Sequence, residues 1–316
     1  MSNINSTADL ERRNSRSHRF VKRLKGSAQW YLLLLPGLIY LIIFNYGPMA
    51  GVLMGFEKYS ASKGIFHSRW IGLDNFIRFF QYPAFRKMIT NTLSITLLSL
   101  ATFPCSIIFA LFLDEISRVR FKKFTQMVSY MPHFLSEVVV CSLVILLLDR
   151  SYGPVNNLID FLGGTRRSFI GESESFAAIY VLSGLWQGLG WGAILYISAL
   201  SSVSAEEIEA ARIDGANRFQ IMWHVKIPSI LPTIIITFVM RMGSIMSVGY
   251  TKILLLQNDM TLDVSRTIST YVYEIGILGG QYGYAAAIDL FNSVINIALL
   301  ILFNWICKKL TDISLF

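Results

Sequence analysis

The sequence predicts an all-α, polytopic membrane protein with six transmembrane helices. Charged residues make up only 15% of the chain and hydrophobic ones 53%, whereas ordinary soluble domains carry about 25% charged residues. Apolar runs recur at roughly 30–54, 91–113, 127–148, 177–200, 230–250 and 285–307, each near the roughly 20 residues that a helix needs to cross a bilayer. The polar stretches between them alternate in basic content, which gives the chain an orientation.

Residues 1–29 form a polar tail containing Arg12, Arg13, Arg16, Arg19, Lys22, Arg23 and Lys25. The uncharged run from Trp30 to Phe56 is longer than the roughly 7–15-residue core of a secretory signal. It is therefore expected to remain as the first span, with Pro36 and Pro48 bending it, as packed membrane helices tolerate. The transmembrane domain runs over 30–307 and leaves 308–316 as a short C-terminal tail. Sixteen Lys and Arg fall in the N-terminal tail, the 114–126 and 201–229 loops and the C-terminus, against eleven on the other side. The basic side faces the cytoplasm, so both termini and the 201–229 loop are expected there. The opposite segments, with WIGLDNF (70–76) and TISTYVYEIGILGGQYGY (267–284), are about 30 residues each, long for bare connectors. They suit either surfaces for an external partner or an aromatic belt at the lipid boundary.

Several function classes are excluded early. The net charge of +8 does not mark a nucleic-acid protein, because many of the basic residues sit in the tail or beside apolar runs. Cys105, Cys141 and Cys307 lie inside apolar segments with no metal-ligand spacing. His18, His67, His133 and His224 are scattered, without an HExxH motif. GGTRRS (163–168) has the glycines of a phosphate cradle but not its Lys-Ser pair. The chain is thus expected to have no catalytic site, metal or cofactor of its own.

The most informative segment is the polar insert 204–228 between two spans. Ser204 with Glu207 fits a capping box, which predicts a helix from about 205 to 214. Gly215 suits the left-handed turn that ends a helix. Asn217, with Gln220 three residues on, caps a second short helix, and Phe219, Met222 and Trp223 make one apolar face. Pro228 and Pro232 are expected to mark its end and the re-entry into the membrane. Charged residues beside an apolar face fit a helix pair that inserts into a groove on a soluble partner; a helix pair lying at the headgroups has the same composition.

Polar groups within spans are costly and usually face a bundle interior or water. Arg241 is read near the middle of the fifth span, where it meets an anionic or hydroxyl-rich substrate, a guanidinium gripping carboxylates in bidentate fashion, or pairs internally with Asp289 or Glu137, or snorkels to the headgroups. Asp289, Asn292 and Asn296 fall on one face of the sixth span and either line a cavity or bond to neighbouring helices. Gly184, Gly188 and Gly192 form a small-residue stripe expected to permit close helix packing. Beside them Trp186, Gln187 and Trp191 offer the aromatics and amide that suit a sugar.

Glu209-Ala210-Ala211, then Gly215, then Val225, Ile227 and Pro228 resembles the EAA loop of permease subunits in bacterial ATP-binding-cassette importers. The family pattern is E-A-A, three residues, G, nine residues, I, one residue, L-P; here Val225 stands for Ile and Ile227 for Leu. ARIDGA (211–216), YLLLLPGLIYLIIFNYGPMAG (31–51), IGLDNF (71–76) and GLWQGLGWGAILYISAL (184–200) are similar to the oligosaccharide-importer permeases. STYVYEIGI (269–277) and AIDLFNSVINIALLILFN (287–304) resemble a subgroup associated with polysaccharide-derived oligosaccharides, some of them uronate-containing. The resemblance implies the type I importer permease fold in a bacterial cytoplasmic (inner) membrane. It implies a second, related permease subunit, two ATPase subunits that bind MgATP, and an external solute-binding protein. It assigns coupling to the ATPases to Glu209, Ala210, Ala211, Asp214, Gly215, Phe219 and Pro228. A permease for another small solute and an ion-coupled secondary transporter are the rivals. The second leaves the docking loop unused and requires internal repeats that the sequence does not show.

Overall fold

A computed structural model describes residues 28–311 and 313–315. The basic residues of the 1–29 tail lie outside the described residues. Among the described residues five helices are long and apolar enough to cross a membrane, and a sharply bent pair of helices meets the same test only when its two halves are taken together.

Helix α1 (Gln29–Phe56) follows from an uncharged run. Pro36 sits within it, Ile42–Tyr46 widens to a π turn and Ala50–Phe56 tightens to 3-10 geometry. Residues 29–49 are exposed throughout. The helix rejoins the bundle only at its end, where Gly55 lies so close to the Ala287 backbone that a Cβ would sit 3.1 Å away. A short antiparallel hairpin follows, β1 (Glu57–Lys58) on β2 (Arg69–Trp70), then α2 (Asp74–Phe80). Asn75 Nδ2 donates to the Gly55 and Glu57 carbonyls at 2.9 and 3.2 Å, tying this cap to the end of α1.

Helix α3 (Phe85–Asp114) tolerates Pro104 because Thr102 and Phe103 restart the helix, and the Thr102 hydroxyl donates to the Ser99 carbonyl at 2.7 Å. The apolar run predicted to span at 127–148 is not one continuous helix in the structure. It is two helices, α4 (Val119–Phe134) and α5 (Glu137–Leu148), bent by 103°. Pro132 sits in a tight turn, Leu135 and Ser136 are extended, and the Ser136 hydroxyl caps α5 by accepting from the Val139 N–H. An N-cap restarts a helix in a new direction, so apolarity alone did not reveal the corner.

After α6 (Pro154–Phe161), the 28-residue α7 (Ser173–Leu200) forms the centre of the bundle. It packs against α3 through Ile107, Ala110, Leu111, Ala193, Tyr196 and Leu200, joined by Ile230. Its closest approach is at Gly190, where a Cβ would collide with the Ser129 carbonyl. Next come α8 (Ala205–Ile213) and α9 (Arg218–Met242), the second of which corrects the loop reading. The short second helix does not stop at Pro228 but runs on through a π turn at Met222–Lys226 into the span. Helices α10 (Tyr250–Leu256), α11 (Leu262–Ser265) and α12 (Ile268–Leu278) precede α13 (Tyr282–Thr311), which extends into the predicted C-terminal tail.

Candidate functional site

The 204–228 insert is built by local chain chemistry. Ser204 caps α8, with the Glu207 N–H donating to its hydroxyl at 3.5 Å. At the other end the Ala216 N–H donates to the Ala211 carbonyl at 2.9 Å and the Gly215 N–H to the Arg212 carbonyl at 3.0 Å. This pair of bonds is a Schellman ending, which needs a left-handed residue; Gly215 supplies it at φ +83°. Asn217 and Gln220 form the reciprocal capping box that starts α9. Glu209, Ala210, Asp214 and Pro228 are exposed and Ala211 is half-buried. Ile213, Phe219 and Trp223 stand 86%, 71% and 67% exposed, an apolar set at the tip of a polar loop, while Met222 turns inward. Ala211, Asp214 and Gly215 also line a cavity of about 290 Å³ between the two helices.

A second site lies inside the bundle. A cavity of about 450 Å³ is enclosed by α3, the start of α5, α7, the end of α9, residues 244–249 and Lys252. The stripe Gly184, Gly188 and Gly192 lines it; only Gly188 faces open space, while a Cβ at Gly192 would press on Ser106 of α3 at 2.8 Å, so the stripe packs closely at one end and leaves room in the wall at its middle. Polar lining comes from Thr96, Ser99, Thr102, Ser106, Glu137, Tyr180, Gln187, Arg241, Ser244, Ser247 and Lys252.

Arg241 is not in the middle of a span. The helix ends at Met242, residues 243–246 turn and 247–249 are irregular, so Arg241 lies in the last turn and reaches the cavity. Its guanidinium donates to the Ser99 carbonyl at 2.9 Å. Among the described residues it makes no ion pair with Asp289, Glu137 or any other carboxylate. Gln187 donates to the Leu135 carbonyl at the α4–α5 corner, 3.1 Å away, and lines the cavity. Trp191 stacks on His133 with ring centres 4.3 Å apart, and Trp186 is 47% exposed; neither lines the cavity.

Asp289, Asn292 and Asn296 do not line it either. Asn296 accepts from the Met246 N–H and donates to the Ser247 hydroxyl, both at 2.9 Å, and Asn292 donates to the Met246 carbonyl at 3.3 Å. They hold the turn that shapes the cavity, so the stripe bonds to a neighbouring segment. Asp289 is exposed.

Sequence reading missed Lys252. It is 5% exposed, and its ammonium lies 5.2 Å over the Tyr180 ring and within 3.3 Å of where a Gly184 Cβ would stand. Among the described residues no carboxylate lies within ion-pair distance of it. A cation–π contact stabilises such an ammonium only partly, while burial opposes its charge. The cavity therefore carries two cations, Lys252 and Arg241, against one carboxylate, Glu137, and suits an elongated hydroxyl-rich molecule bearing negative charge.

The profile of the family described as binding-protein-dependent transport system inner membrane component matches residues 102–312. Protein LplB of Bacillus subtilis (strain 168) is 40% identical over 294 residues, 93% of this chain and 92% of that protein. The polygalacturonan/rhamnogalacturonan transport system permease protein YteP of the same organism is 38% identical over 292 residues, 92% and 91% of the two chains. A chain in the crystal structure of a bacterial alginate ABC transporter, in complex with an alginate pentasaccharide-bound periplasmic protein, superposes with a TM-score of 0.86 at 35% identity. That match covers 94% of this chain and 100% of the other.

Proposed function

Since this chain belongs to the family of binding-protein-dependent transport system inner membrane components, we propose that it forms half of the membrane path of an importer for acidic oligosaccharides. It is a permease subunit of a sugar or oligosaccharide ABC importer, with the type I importer fold. Membership of the family sets aside the ion-coupled carrier.

One observation carries the finer reading: among the described residues the cavity's Lys252 has no ion-pair partner and Arg241 donates to a neutral carbonyl without pairing a carboxylate. A uronate carboxylate matches both, since a guanidinium takes it in bidentate fashion and an ammonium as a point charge. The named substrates of the relatives, polygalacturonan/rhamnogalacturonan and alginate, support the same chemistry.

The partners follow from surfaces that this chain leaves open. The apolar tip Ile213, Phe219 and Trp223 beside Glu209, Arg212 and Asp214 fits a groove on an ATPase subunit. Two such subunits would bind MgATP, and an external binding protein would deliver substrate. The exposed length of α1 fits a second, related permease subunit. Both termini and the 204–228 loop face the cytoplasm in this reading, as the Lys and Arg balance directs.

The test is binding-protein-dependent ATPase stimulation in proteoliposomes containing the assembled importer, screened over neutral and uronate-bearing oligosaccharides. Stimulation by the acidic set is expected. Equal stimulation by neutral sugars would remove the acidic assignment and leave the permease reading intact.

A further inference from the structure

Helix α9 joins the two sites physically. It begins at Arg218 in the docking loop and ends at Met242, beside Arg241 in the cavity wall. At 1.5 Å per residue, Arg218 and Arg241 are about 34 Å apart along its axis. Lys226 lies between them, about 12 Å from the loop end and about 22 Å from the cavity end.

Lys226 is the one lysine of this helix, and its side chain is 10% exposed. Its ammonium donates to Asp114 Oδ2 at 2.8 Å and to Glu115 Oε1, the two carboxylates at the end of α3. The other oxygen of Asp114 accepts from Lys122 of α4 at 3.3 Å. Two ammoniums and two carboxylates thus tie α9 to the ends of both segments that lead back to the cavity. α3 carries Thr96, Ser99 and Ser106 of the lining, and α4 ends at the Leu135 corner that Gln187 holds.

The backbone is bent to this purpose. The buried positions of α9 run Ile221, Lys226, Ile230, Ile235, Val239 and Met242. A regular helix would bring position 225 under Ile221. The π turn inserts one extra residue, with the Ile227 N–H donating to the Met222 carbonyl five residues back. That insertion rotates Lys226 onto the inner face, in line with Ile230. Single π turns inside α-helices recur at functional positions, and here the turn's effect is to aim one cation at Asp114 and Glu115.

We propose that Lys226 is the fulcrum of a lever, on which α9 pivots against the end of α3. With arms of about 12 and 22 Å, a shift of about 2 Å at the docking end becomes about 4 Å at Arg241, in the opposite sense. Lys226 is a positioning residue: it touches neither nucleotide nor substrate. The proposal rests on the reading of 204–228 as the ATPase docking loop.

The experiment uses the assembled importer in proteoliposomes and measures transport, ATP hydrolysis and co-purification of the ATPase on the same preparation. In Lys226→Met the ATPase is expected to co-purify and hydrolyse, while transport per ATP falls at least about tenfold; Lys226→Arg keeps transport per ATP within about twofold of wild type. In a Glu115→Cys/Lys226→Cys pair, coupling is lost, and a short bis-thiosulfonate cross-linker restores it by replacing the ion pair with a covalent pivot. Wild-type transport per ATP in Lys226→Met, loss in Lys226→Arg equal to that in Lys226→Met, or a cross-link that leaves coupling unrestored would each overturn the fulcrum. Failure of the ATPase to co-purify with the wild-type chain would instead overturn the docking-loop reading.

Discussion

The docking loop and the cavity are built by opposite means. Within 25 residues the loop contains its own N-cap, its left-handed glycine and its capping box, and it turns apolar side chains outward. The cavity draws on α3, α5, α7, α9 and α10 and turns charged side chains inward. The loop is specified by spacing, and any change acts on an exposed surface. The cavity is specified by packing, and its chemistry depends on where distant helices come to rest. Mutations should therefore separate the two, with loop changes altering coupling and cavity changes altering which substrate moves.

The sharpest break is Gly215→Pro. Proline fixes φ near −65° and removes the N–H, whereas Gly215 sits at φ +83° and donates to the Arg212 carbonyl. Membrane insertion is expected to persist while binding-protein-stimulated transport falls by about a hundredfold, a loss read as free energy of coupling. Wild-type stimulation in this variant would show that the loop's turn does not matter to docking.

Lys252→Met tests the other region. It removes a 95%-buried charge at little change in length, so the bundle is expected to fold at least as well. Uptake of uronate-bearing substrate should fall about tenfold, the scale of one charge-assisted contact, with ATPase co-purification unchanged. Uptake of acidic and neutral oligosaccharides reduced alike would assign Lys252 to cavity shape.

Arg241→Gln is the mildest. Arg241 is exposed, so an increase in KM of about threefold for acidic substrate is expected, with kcat retained. An equal loss of kcat would mean that Arg241 acts in the moving step.

Much of the loop was legible because its signals are short-range. Ser204, Gly215 and the Asn217–Gln220 pair each act over three or four residues. Its continuation was not, since Pro228 reads as a stop, and only the π turn at Met222–Lys226 lets the helix pass. In the membrane part, apolar length identified each crossing but not its geometry. The Ser136 cap turns the third apolar run through a corner, and Gly243-Ser244 ends the fifth span before its apolar run is finished. That early end moves Arg241 from mid-span to a cavity wall. Lys252 was invisible for a related reason: next to an apolar run, a lysine that snorkels to the headgroups and a lysine buried under Tyr180 read alike. Asn292 and Asn296 were recognised as a polar face, but their partners, Met246 and Ser247, lie about 50 positions away.

The solitary course of residues 29–49 bears on how such an assembly is put together. In hydrocarbon, an apolar helix gains nothing by hiding from its surroundings, because lipid tails are as apolar as leucine. An arm as exposed as this one can therefore wait in the bilayer, solvated by lipid, after the remainder of the chain has folded. Were a partner subunit to bind here, as proposed above, it could be recruited after this chain has folded, by side-on encounter within the plane of the membrane.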